Sequence, residues 1–272
     1  MSYGEHRVLV LGAAGLDMKV QPRTEVIESA RSNPAQIWRG WGGVARNIAE
    51  NLVRLGADVQ LITAIGDDDW GGGLLRHLNA LGIETEAVVV SPDMATASYV
   101  GVHHADKKLW VAFDDMKVIE EITPAHLEKW HHLFNDIDMV CIDANLSPET
   151  LDALFEITTE YDIPVCGDPT AALLAHRFHP HLDQMTAVTP DMDEAIALVG
   201  EELLGDEGIS YGARRLVNFG VDLAIITLGA QGLYYATSDE SGRLPAFPVD
   251  IVDPTGAGDA LTAAVAYGLL EN

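Results

Sequence analysis

A chain of 272 residues, 48% of them hydrophobic, is long enough to bury a core of its own. Its formal net charge of −26, with no basic patch to offset it, excludes nucleic acid or an anionic membrane as the natural partner. No apolar run reaches the roughly 18 residues of a membrane span, and the polar start Met1–Arg7 does not resemble a signal peptide. Cys141 and Cys166 lie in separate apolar runs and read as buried free thiols, so a cytoplasmic location is expected.

In chain order, Val8–Leu11 predicts a first strand, and the loop after it leads to Asp17. Met18–Trp41 lacks helical periodicity. Ala95–Phe113 reads as two strands around the polar turn Ala105–Lys108. Together these segments predict a small β-flap over one edge of the fold, with lid segments around 18–41 and 95–115. Elsewhere strands at Val59–Ile65, Met139–Ile142, Pro164–Gly167, Thr186–Thr189 and Leu223–Leu228 alternate with helices. The helices are expected at Val44–Leu55, Leu74–Leu81, Pro148–Tyr161, Asp191–Val199 and Tyr211–Phe219. Continuously apolar strands are covered on both faces, which predicts an α/β fold with a mostly parallel central sheet. There is no internal repeat or linker, so one domain over residues 1–272 is expected. In such sheets ligands bind beyond the carboxyl ends of the strands.

The last such end carries the strongest signal. Val249–Val252 predicts a strand, the run Asp253-Pro254-Thr255-Gly256-Ala257-Gly258-Asp259 follows, and Ala260–Leu270 has a helical pattern. A strand, a glycine-rich turn and a helix start make an anion site, because first-turn N–H groups point outward and the dipole favours negative charge. Gly256 and Gly258 let backbone approach a phosphate closely. Asp259 has two roles open to it, capping the helix or accepting the proton of a substrate hydroxyl. Near the N-terminus, Gly42-Gly43-Val44-Ala45-Arg46-Asn47 opens an amphipathic helix, and Asn47 can both donate and accept hydrogen bonds.

The run Asp253–Asp259 resembles the C-terminal signature of the ribokinase family of sugar and nucleoside kinases. Gly42–Gly56, followed by Ile65-Gly66-Asp67-Asp68 and Gly72, resembles that family's N-terminal signature. The resemblance implies a ribokinase-like three-layer sandwich with a β-flap serving as a lid. It implies ATP and Mg²⁺ as cofactors, and admits a monovalent cation. It assigns Asp259 as base, with Gly256, Ala257 and Gly258 as the anion hole and Thr255 beside them. It places Asp17, Gly42, Gly43 and Asn47 at the substrate. Thr189-Pro190-Asp191-Met192-Asp193-Glu194 is similar to the family's Asn-x-x-Glu element, so Glu194 would help hold the metal and phosphate, with Asp191 in place of the usual Asn. Thr227-Leu228-Gly229-Ala230-Gln231-Gly232 is similar to the segment lining the nucleotide, which assigns Thr227, Gly229 and Gly232 there. The family continues past its last helix with a segment against the adenine ring, whereas this sequence ends at Asn272.

Within the family, Ser32-Asn33-Pro34, Asp17-Met18-Lys19 and Asp114-Asp115-Met116 resemble the pseudouridine kinases. That resemblance adds Lys19, Asn33 and Met116 as nucleoside contacts and the 5′-hydroxyl as the acceptor. Ribose, a related sugar or another nucleoside is the alternative acceptor. A non-catalytic nucleoside- or sugar-binding protein on the same fold is a separate reading, since fold does not fix function. Gly12–Gly15 lacks the spacing of a dinucleotide fingerprint. The paired histidines His103-His104 and His131-His132 have no zinc-type spacing partner. The flap's edge strands would suit pairing with a second copy in a homodimer.

Overall fold

The computed structural model describes residues 6–24, 27–104, 108–250 and 253–271. The chain begins with β1 (Arg7–Leu11), β2 (Gly15–Pro22), β3 (Ala35–Gly42), α1 (Val44–Leu55), β4 (Asp58–Ile62), β5 (Ala64–Gly66) and α2 (Asp69–Leu81). It continues through β6 (Val89–Ser91), β7 (Ser98–His103), β8 (Leu109–Asp115), α3 (Pro124–Lys129), β9 (Met139–Asp143), α4 (Pro148–Glu160) and β10 (Val165–Asp168). The last third holds α5 (Ala172–Ala175), β11 (Ala187–Val188), α6 (Met192–Val199), α7 (Gly205–Asn218), β12 (Leu223–Thr227), β13 (Leu233–Ala236), β14 (Ser241–Leu244) and α8 (Ala257–Leu270).

Eight strands form the main sheet in the order β14-β13-β12-β11-β10-β9-β1-β4. From β12 through β4 every pairing is parallel, and β13 and β14 close one edge as an antiparallel hairpin. Alternate residues along each strand feed two separate cores, as the pleat requires. Leu9, Leu11, Val140, Ile142 and Ile226 face one core, covered by α3 to α7. Val8, Val10, Leu61, Cys141 and Cys166 face the other, covered by α1, α2 and α8. The predicted three-layer arrangement with helices on both faces is therefore formed.

The flap is a second sheet of four strands in the order β3-β2-β7-β8. It springs from the carboxyl end of β1, where only Gly12–Ala14 separate the two sheets. Gly15 pairs with Gly42 at its base, and Pro22 pairs with Ala35 toward its tip. Of the turn expected at Ala105–Lys108, residues 105–107 lie outside the described residues.

Several boundaries differ from the sequence expectation for identifiable reasons. The strand expected over Val59–Ile65 divides at Thr63, because its second half leaves the main sheet to pair with β6. α2 starts at Asp69 rather than Leu74: Asp68 caps it by accepting from the Gly71 N–H at 2.8 Å, and this outweighs the poor helix propensity of Gly71–Gly73. α7 starts six residues before Tyr211, in a stretch whose glycines dilute the apolar period. No strand forms at Val249 and Asp250, which are exposed and irregular, while Ile251 and Val252 lie outside the described residues. Pro245 and Pro248 each remove a ladder donor from that stretch.

Candidate active site

Polar residues stand at the carboxyl ends of the parallel strands. Asp143 closes β9 and Asp168 closes β10 in register beside it. Thr189–Asp191 follow β11, and Thr227 closes β12, with its N–H donating to Pro190 O at 2.9 Å. The flap overhangs this edge from one side, and the N-terminus of α8 faces it from another.

The start of α1 is fixed by close packing. Gly43 precedes the helix at φ 94°, and a Cβ there would run into the Ala13 carbonyl. A Cβ on Gly42 would fall inside the Asp17 carboxyl group, so Gly42 makes the space that Asp17 occupies. Asp17 is half-buried on β2, and burial pushes its pKa up, with Arg46 and Lys19 opposing that rise. One turn into α1, Asn47 extends its Nδ2–H to Asp259 Oδ2 at 2.5 Å.

Asp259 lies in the first turn of α8, behind Gly256 at φ 82°. Its pKa is raised to about 6, first by burial and further by Asp143 and Asp17, against the Asn47 hydrogen bond and Arg46. The N–H groups of Gly258 and Asp259 precede the first helical bond, which runs from Ala260 N to Gly256 O at 2.9 Å, so they belong to the unsatisfied first turn. Ala257 and Gly258 are exposed. Behind the turn, the Thr262 hydroxyl donates to Asp168 Oδ2 at 3.0 Å and accepts from Thr189 Oγ1 at 2.6 Å, anchoring α8 to two strand ends. The flap reaches the same turn: Lys19 Nζ donates to Thr255 Oγ1 at 2.8 Å and pairs with Asp253.

On the far side of α8, Asp191 and Glu194 form a reciprocal capping box at the start of α6. The Asp191 N–H donates to Glu194 Oε2 at 2.7 Å, and the Glu194 N–H donates to Asp191 Oδ1 at 2.9 Å. An aspartate serves this cap as well as the asparagine of the family element would, which accounts for the substitution. Glu194 is nearly buried, and its pKa is raised to about 7, chiefly by that burial. Glu194 and its acidic neighbours are hard oxygen donors of the kind Mg²⁺ takes, since Mg²⁺ keeps several waters and uses one or two carboxylates with substrate phosphates. Among the described residues no three such side chains converge as a ready-made metal cage. Gly229 at φ 56° and Gly232 at φ 89° shape the turn after Thr227, where Leu228 N donates to Gly232 O at 2.8 Å.

The structure brings Asp17, Lys19, Gly42, Gly43, Asn47, Thr255, Gly256, Ala257, Gly258 and Asp259 together where the flap, α1 and α8 meet. Asp191, Glu194, Thr227, Gly229 and Gly232 follow at the carboxyl ends of β11 and β12. Two residues stand apart. Asn33 lies near the flap's tip, where its side chain is engaged with backbone of Glu28 and Arg31. The eight residues of β3 run from that tip to Gly42, roughly 25 Å at strand rise. Met116 packs on the core where the flap ends, lining a cleft of about 670 Å³ that also touches Asn145 and Arg177.

Three site residues escaped the sequence reading. Asp143 is fully buried and staples the site: Oδ2 accepts from the N–H groups of Ala13 at 2.8 Å and Ala45 at 3.0 Å, and Oδ1 accepts from Asn145. Asp168 is buried, with its pKa pushed well up by burial and by Asp259 and Glu194. Arg46 is buried between Asp17 and Asp259. A carboxylate ending an otherwise apolar strand, as in Met139–Asp143 and Val165–Asp168, was the available signal for the first two.

Comparison with known proteins gives the family and the fold. The description "pfkB family carbohydrate kinase" matches residues 5–272. The pseudouridine kinase of Escherichia coli K12 is 30% identical over 260 residues, 95% of this chain and 82% of that protein. The ribokinase of Bacillus subtilis is 29% identical, over 97% of this chain and 86% of that one. In structure, an Arabidopsis thaliana ribokinase complexed with ribose and ATP superposes with a TM-score of 0.84 over 98% of this chain and 86% of that one, at 20% identity. With the main sheet and the flap in place, the chain belongs to the pfkB family of carbohydrate kinases and is a ribokinase-like sugar or nucleoside kinase.

Proposed function

We propose that the protein transfers the γ-phosphoryl group of ATP to the 5′-hydroxyl of pseudouridine, with Asp259 as the base. The observation that carries the chemistry is a half-buried carboxylate at the head of a helix, raised to about 6 and therefore mostly ionised at neutral pH. Asp17, close enough to raise Asp259 electrostatically, would hold the acceptor hydroxyls. In this reading the acceptor O–H bond breaks as its proton passes to Asp259. A new bond forms from that oxygen to the γ-phosphorus, and the bond to the ADP oxygen breaks. Negative charge gathering on the transferring group meets the first-turn N–H groups of α8. Glu194, through water, would hold Mg²⁺, which when bound neutralises phosphate charge.

The choice of nucleoside rests on the relative at 30% identity. Ribose is the second reading, because the Bacillus subtilis ribokinase is nearly as similar at 29%. The deciding experiment measures ATP consumption with Mg²⁺ against pseudouridine, uridine, cytidine, adenosine, ribose and fructose. Turnover of pseudouridine well above the rest supports the proposal. Preference for ribose retains the kinase chemistry and discards the nucleoside.

A further inference from the structure

Arg46 has no part in the reaction just described, yet it is buried with Asp17 and Asp259 as charged neighbours. Its Nη1 pairs with Glu50, one turn along α1, and its Nη2 donates to Trp41 O at 2.9 Å and to Asn47 Oδ1. Asn47 in turn donates from Nδ2 to Asp259 Oδ2 at 2.5 Å. A single file of side chains, Glu50–Arg46–Asn47–Asp259, therefore ends on the carboxylate assigned as base.

We propose that Arg46 is a positioning residue that fixes the polarity of the Asn47 amide and thereby keeps Asp259 oriented and ionised for proton transfer. The argument is one of donors and acceptors. A guanidinium only donates, so the Asn47 atom facing it has to be the carbonyl oxygen. The amide's NH₂ is then turned toward Asp259, where it stabilises an ionised carboxylate and offers nothing to a protonated one. Without Arg46 the amide is free to turn over and present Oδ1 to Asp259, which would accept from the protonated acid and favour it. A buried arginine kept only for stability is poor design, since apolar replacements of such groups are often neutral or better. Arg46 also leaves its Nε–H without a partner among the described residues, so its own bonding is incomplete.

The groups around Asp259 make this control necessary. Asp143 faces it from β9, Asp17 from β2 and Asp168 from β10, while Glu194 stands across from α6. Asp143 and Asp17 disfavour its ionised form, whereas Asp168 and Glu194 are themselves raised by it. Asn47 and Arg46, both on α1, are the groups that oppose them. Glu50 holds Arg46 from behind, and is itself paired with Arg54 and 3.7 Å from His77.

The test compares Arg46→Met, Arg46→Lys and Glu50→Gln with the natural protein. With whichever acceptor is turned over, Arg46→Met should lower kcat by about 100-fold, the scale of a misplaced reacting group, with little change in acceptor KM. The acid limb of its pH profile should move up from about 6. Arg46→Lys, which retains a donor for Asn47 Oδ1, should return the limb to its place and recover part of kcat, and Glu50→Gln should fall between. The carboxyl titration of Asp259, followed by ¹³C NMR in ligand-free protein, should rise in Arg46→Met in parallel. That reading needs no acceptor, so it stands whichever sugar or nucleoside the kinase prefers. An acid limb and an Asp259 titration that both stay in place in Arg46→Met overturn the proposal. Should that variant not fold, an acid limb, an Asp259 titration and a kcat that all stay unchanged in Glu50→Gln do the same.

Discussion

Lys19 and Thr255 meet across 236 positions of chain, Nζ to Oγ1 at 2.8 Å, and this contact ties the flap to the turn that heads α8. Asp17 and Lys19 are two residues apart on β2 and so share one face of the strand. Anchoring Lys19 thereby steadies the carboxylate proposed to grip the acceptor. The same lysine is the main reason Asp253 is held down to about 2. Lys19→Met should cut kcat/KM by about 10- to 100-fold, mostly through a higher acceptor KM, as positioning is lost. Hydrogen exchange over 15–22 should quicken alongside. Unchanged exchange with unchanged KM would show that the anchor plays no part.

Asp259→Asn is isosteric but cannot take a proton. Loss of a general base costs about 10²- to 10⁴-fold in kcat, and the acceptor should still bind, as calorimetry would show. In the natural protein, kcat/KM should fall as pH drops through about 6, because the protonated acid cannot act as base. Full turnover by Asp259→Asn would remove Asp259 from the mechanism.

Gly42→Ala tests the other half of the site. The added methyl group has to displace the Asp17 carboxyl, since the two would occupy one volume. The backbone at Gly42 is ordinary extended strand, so the fold should survive. Acceptor KM should rise about tenfold or more with kcat less affected, the pattern of lost ground-state binding. Unchanged steady-state kinetics would mean that Asp17 does not touch the acceptor.

Much of this is legible in the sequence alone. The parallel sheet shows in strands that are apolar throughout, and the site shows in glycine-rich turns at their carboxyl ends. β13 and β14 were not legible: Tyr234 and Tyr235 are both half-buried, so no alternation of apolar and polar residues marks them. The glycines of α2 masked its start because the cap on Asp68 and the close approach of Trp41 to Gly73 are tertiary facts. Arg46 was read past because it sits in an amphipathic helix as one more charged residue. Its importance comes from α8 packing against α1, which no local pattern encodes.

The crowding of carboxylates has a consequence for stability that can be worked out by sign. Asp17, Asp143, Asp168, Glu194 and Asp259 all have folded pKa values above their ordinary ones, each chiefly through burial. Unfolded, they titrate near 3.8 for Asp and 4.5 for Glu; folded, Asp259 titrates at about 6 and Glu194 at about 7. Between those limits the folded protein binds more protons than the unfolded chain, so stability falls as pH rises. Asp253 and Asp68 have lowered values, and their contribution is already complete above the ordinary aspartate range, so it does not alter the slope; His181, lowered from 6.5 by burial, opposes the slope over its own range but is one group against the raised carboxylates. The net charge of −26 acts in the same direction, as each lost proton adds to the repulsion. Ligand-free protein should therefore melt at a lower temperature at about pH 7.5 than at about pH 5.5, with Glu194→Gln flattening part of the slope. Mg²⁺ with ATP should recover stability most at the higher pH, where the ionised carboxylates are best able to engage a cation. A melting temperature that climbs from pH 5.5 to 7.5 without ligand would mean that these groups do not carry raised values in the folded protein.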